Sequence, residues 1–180
     1  MRKTIHITHG AMTVALTGII LLLDRMLMGF FMPFLALPLV VYGSYYSLNE
    51  SIIVAVSNVI IAMILVGLLP TVLTSIGYST VGLAYIYAYH NNFTKKQTYV
   101  IMSVFMAIFY VIMVLFFGEY FGLNITETID SISGFVQFLP AVGVKIAAYV
   151  LSFLTMLMEV FIVKVSGDMV VTLLQHHRKK

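Results

Sequence analysis

His6 and His9 stand three residues apart, a spacing that puts two imidazoles on one face of a helix, where together they could grip a metal ion. No acid stands near them in the sequence, so the pair reads as interfacial polar residues and no metal site is expected. His90 stands alone, and His176-His177 precede Arg178-Lys179-Lys180 in what reads as a solvated basic tail. The chain has no phosphate loop of the form G-x-x-x-x-G-K-[ST], no H-E-x-x-H and no G-x-S-x-G. It also has no cysteine, which excludes disulfides, thiolate chemistry and cysteine-bound metals. The expectation is a chain that is not an enzyme and carries no cofactor of its own. Glycosylation tripeptides start at Asn49, Asn92 and Asn124, and only the last is expected outside the cell.

The charges are more informative, because an ionised group at the centre of a bilayer-spanning helix costs at least about 2.5–3.5 kcal/mol. Asp24-Arg25 falls in a tight turn, where the two side chains can pair with each other. Lys145 lies one turn into the last apolar segment, and Glu119-Tyr120 follow the fifth. Arg25, Glu119, Tyr120 and Lys145 are therefore expected at one level, and with Tyr78 they form the candidate substrate-binding set. The plainer reading is that each is an ordinary interfacial residue. Glu159 falls in the inner half of the last segment, and a structural or interface role is expected for it.

The elements that must hold these residues are legible from composition. Of 180 residues, 61% are hydrophobic and 9% charged, against roughly 25% charged in soluble domains. Mean hydropathy is +1.04. A spanning helix needs about 20 mostly apolar residues, and six segments qualify: roughly 6–23, 26–47, 51–69, 71–90, 98–118 and 142–164. The fold class is thus an all-α integral membrane protein with six transmembrane helices. It forms a single domain over 1–180, with a basic tail at 165–180. Pro33 and Pro38 should kink the second segment or leave its start in a loop. The basic N-terminus followed by an apolar stretch could be a signal peptide, but no small-residue cleavage site follows, so an uncleaved first span is expected.

Alternating the spans puts Arg2, Lys3, Lys95, Lys96, Lys164, Arg178, Lys179 and Lys180 on one side, and only Arg25 and Lys145 on the other. By the positive-inside rule both termini are cytoplasmic. The basic pI of about 9.1 then reports topology, and no nucleic-acid partner is expected. In the long outer loop, Ile125, Ile129, Ile132, Val136 and Leu139 recur at helical spacing after Asn124, with Glu127 placed as in a capping box. This predicts a short amphipathic helix over the outer mouth of the bundle, either a lid or an interfacial brace. The fourth segment carries Thr71, Thr74, Ser75, Ser79, Thr80, Tyr78 and Tyr85, too polar for lipid, and should lie inside the bundle. There is no inverted repeat of the transporter type.

The first segment opens with "HGAMTVALTG", in which Ala11, Ala15 and Gly18 form a flat strip on one helix face. Together with six spans, cytoplasmic termini and a long loop before the last helix, Ala11-Met12-Thr13-Val14-Ala15 resembles the Ala-x-x-x-Ala motif of the substrate-binding S components of energy-coupling factor (ECF) vitamin transporters. The resemblance covers the whole chain as an architecture and five residues as a motif. It implies a small receptor in the bacterial cytoplasmic membrane that captures a water-soluble vitamin at the outer side and performs no chemistry. A transmembrane coupling subunit, driven by two ATPase subunits that use ATP, would grip the Ala11/Ala15/Gly18 face and reorient the receptor to release its cargo. Arg25 and Lys145 favour a carboxylate cargo such as pantothenate, whereas tyrosines at the mouth suit a pyrimidine or pyridoxine-like ring. Two other classes compete: a structural or assembly membrane protein without cargo, and a small membrane enzyme acting on lipid, for which no paired acids or histidines stand at a common depth.

Overall fold

The computed structural model describes residues 2–27, 29–117 and 141–178. The chain there is helical, with no strand among the described residues. Helix α1 runs Arg2–Met26 and is followed by a 3-10 helix, Met32–Ala36, that continues into α2, Leu37–Tyr45. Then come α3, Leu48–Leu65, α4, Leu69–His90, α5, Lys95–Phe117, and α6, Ala141–Arg178. The expected amphipathic helix at 124–139, together with Glu119 and Tyr120, lies outside the described residues.

The helix ends follow from local chemistry. Asp24 Oδ1 accepts the Phe31 N–H at 2.8 Å, so the carboxylate reaches over the turn to the start of the 3-10 helix, where orphan amides favour an anion. Asp24 does not pair with Arg25, which is exposed. Pro33 and Pro38 sit at the starts of the 3-10 helix and α2, positions where a missing N–H costs nothing. The second segment therefore starts late, as 5 residues of 3-10 helix and 9 of α-helix. Ser47 caps α3 in a reciprocal box with Glu50. Gly67, at φ +65°, turns the chain out of α3, and Pro70 lies in the first turn of α4. Asn92, at φ 53°, ends α4 in the same way, and Thr94 and Gln97 exchange the same kind of capping bonds before α5.

Among the described residues, four helices are long and apolar enough to cross a membrane: Thr4–Met26, Leu48–Leu65, Leu69–His90 and Lys95–Met113. Six were expected, and Met32–Tyr45 is apolar but short because its prolines hold its start back. The fourth segment is the interior one: 56% of its most apolar window is buried, against 22–28% for the other three. Large side chains such as Ile53, Ile64 and Phe116 are exposed on the outer faces, as expected where the solvent is lipid rather than water.

Neighbouring contacts fix the directions. Gly10 faces Tyr42 and Val54, and Gly18 faces Ile61 and Leu65, so α1 and α3 run parallel. Gly82 meets Ala36 and Leu39 while Gly43 meets Ile86, so α2 and α4 run parallel. Gly77 meets Phe109, and Tyr87 stacks edge-on with Phe93, so α4 and α5 run antiparallel. Tyr85 bonds Asp168 and Tyr78 lies close to Glu159, which sets α6 parallel to α4. The start of α1 and the end of α6 consequently share one end of the bundle, here called the terminal end. Arg25 and Gly67 mark the far end.

Candidate functional site

Tyr78 on α4, Tyr110 on α5 and Glu159 on α6 converge inside the bundle. The Tyr110 hydroxyl donates to the Glu159 carboxylate at 3.2 and 3.3 Å. Tyr78, almost fully buried, lies close beside the same carboxylate. Glycine makes the convergence possible. A Cβ on Gly77 would lie 2.5 Å from the Phe109 ring, so α4 and α5 approach at a distance only a hydrogen side chain allows. Tyr78 and Tyr110, each one residue on from that contact, are thereby aimed at the same α6 carboxylate. By helix rise, Tyr78 lies about 14 Å and Tyr110 about 10 Å from the far ends of their helices. Thr74, Ser75 and Ser79 on α4 are buried nearby in the chain.

A carboxylate held by one phenol and flanked by a second within a lipid-facing bundle is an acceptor with two aromatic walls. It suits a guest that offers N–H or O–H donors or a flat ring. Glu159 does not snorkel toward the terminal end; the Tyr110 phenol holds it inward. Sequence reasoning missed the partnership because 49 residues separate Tyr110 from Glu159.

Of the residues proposed from sequence, Tyr78 enters this cluster and Arg25 does not, being exposed at the far end. Lys145 lies on α6 with its side chain outside the described residues, as do Glu119 and Tyr120 altogether. The two N-terminal histidines do find an acid, contrary to expectation. His6 Nδ1 lies 2.7 Å from Glu50 Oε1, and His9 Nδ1 bonds the Tyr46 hydroxyl, with Tyr42 and Tyr46 stacked beside them. The Ser-x-x-Glu signature at 47–50 was the available signal, since it fixes Glu50 in the first turn of α3 beside the start of α1. Among the described residues no three potential ligands cluster for a metal. The arrangement instead pins α1 to α2 and α3.

The strip on α1 occupies the outer surface. Between α1 and α3 runs an open, mostly apolar groove of about 970 Å³, lined by Ala11, Ala15 and Gly18 and extending from His6 and Glu50 to Leu22 and Leu65. Ala11 and Ala15 are exposed, while Gly18 is buried against α3, with a Cβ there meeting Leu65 at 3.1 Å. The groove and the Glu159 cluster are thus built by different helices. Compared with protein families, curated proteins and solved structures, the chain matches none.

Proposed function

We propose that this chain is the substrate-binding subunit of an ECF-type vitamin importer, spanning the bacterial cytoplasmic membrane six times with both termini inside. The observation that carries the reading is the separation of an inward acceptor cluster, Tyr78, Tyr110 and Glu159, from an outward small-residue groove at Ala11 and Ala15. A receptor moved by a partner needs two such surfaces, one for cargo and one for the partner's helices. Small residues in the groove let another helix approach closely. The chain binds its vitamin and does no chemistry, and the ATP is consumed by two ATPase subunits acting through a transmembrane coupling subunit.

The cargo follows from the polarity of the cluster. Sequence favoured pantothenate on account of Arg25 and Lys145. With Arg25 exposed and outside the cluster and a carboxylate within it, the pyrimidine or pyridoxine-like class is the better fit, because a donor-bearing ring pairs with Glu159 and stacks on tyrosine. Ala11→Leu and Ala15→Leu test the partner surface. Both side chains are exposed, so thermal stability should change by no more than about 0.5 kcal/mol, while co-purification with the coupling subunit and vitamin uptake are lost. Uptake equal to wild type in both variants would refute the interface.

A further inference from the structure

A second pocket lies at the terminal end, between the end of α4, the start of α5 and the last third of α6. It measures about 360 Å³ and is lined by Lys95, Lys164, Asp168, Asn92, Thr172 and Phe93, among others. That volume falls in the range of small-ligand sites, about 300–1,000 Å³. Its lining is polar, unlike that of the groove on α1, and its chemistry is arranged. Lys164 is only 9% exposed, and its Nζ donates to Asp168 Oδ2 at 2.6 Å. The other Asp168 oxygen accepts the Tyr85 hydroxyl at 2.9 Å. Both carboxylate oxygens are thus occupied, and the acid serves to hold a buried ammonium in place. That ammonium has three donors, and one of them goes to Asp168.

Lys95 adds a second cation in the first turn of α5, with Lys96 next to it. Cations at a helix N-terminus oppose the macrodipole, which favours negative charge there. An anion in the pocket would turn this repulsion into attraction. Lys95 and Lys164 outweigh the single, already paired Asp168, so the lining is net positive. Phe93 and Val171 add apolar surface to the lining, and basic pockets between membrane helices suit phosphate-bearing headgroups.

We propose that this pocket binds a phosphate group, held by Lys164 and Lys95 and carried by an anionic lipid headgroup or by phosphate from solution. The site is distinct from the Glu159 cluster and does not depend on what that cluster binds.

The full chain, purified in detergent, is melted with phosphatidylglycerol, phosphatidylcholine or inorganic phosphate added. Phosphatidylglycerol should raise the Tm while phosphatidylcholine does not. Lys95→Gln, at an exposed position, and Lys164→Gln/Asp168→Asn, which keeps a polar pair, should each weaken the effect about tenfold or more in apparent affinity. Lys96→Gln, whose side chain does not line the pocket, should retain it. A rise with inorganic phosphate that Lys95→Gln also removes assigns the site to free phosphate, and a rise confined to phosphatidylglycerol assigns it to a headgroup. An equal rise with phosphatidylcholine, an identical rise in every variant, or no rise with either phosphate source overturns the proposal.

Discussion

Glu159 is the residue on which the interior turns. A carboxylate inside a membrane bundle is expensive unless a donor reaches it, and here the Tyr110 phenol on another helix donates to both of its oxygens. Hydrogen bonds to charged groups contribute about 1.5–3 kcal/mol each. Tyr110→Phe should therefore lower stability by that amount in a thermal melt, and in a Glu159→Gln background the same change should cost clearly less. Equal losses in both backgrounds would mean that the hydroxyl and the carboxylate are not coupled. None of this was legible in the sequence, where Tyr78 and Glu159 each stood out singly but nothing linked them. Asp24 shows the opposite outcome: a charge that suggested an ion pair with its neighbour proves to cap the next element.

At the scale of elements, composition and punctuation carried most of the information. The breaks between the expected segments 26–47, 51–69, 71–90 and 98–118 fall where α2, α3 and α4 end and α3, α4 and α5 begin, because capping side chains and residues suited to positive φ act locally. The second segment was less legible. Its apolar run is long enough to span, but two prolines delay regular helix to Leu37. Interior placement of α4 was readable from its hydroxyls and glycines, although the reason Gly77 is glycine appears only against Phe109. Gly77→Val should force that ring aside and separate α4 from α5. Overpacking of this kind costs about 1–3 kcal/mol, and the variant should also lose cargo affinity because Tyr78 and Tyr110 no longer meet at Glu159. A Gly77→Val protein that melts and binds like wild type would contradict the close-approach role.

At the scale of the molecule, three surfaces are set apart. The acceptor cluster faces inward among α4, α5 and α6; the small-residue groove faces outward along α1 and α3; and the basic pocket lies at the end shared by both chain termini. Charge asymmetry in the sequence anticipated that shared end, since Lys95, Lys96 and Lys164 were counted on the side of the termini. The spacing of Ala11 and Ala15 gave a flat strip on α1, while the groove and its far wall on α3 were not legible, because small residues on one helix do not reveal which neighbour stands beside them. The central claim, that the chain is a receptor for a small water-soluble molecule, is tested most directly by native mass spectrometry of protein purified from cells grown on rich medium. The account predicts one ring-bearing vitamin or precursor per chain, lost in Glu159→Leu while the protein remains folded. Repeated preparations of folded wild-type protein with no bound small molecule would contradict it.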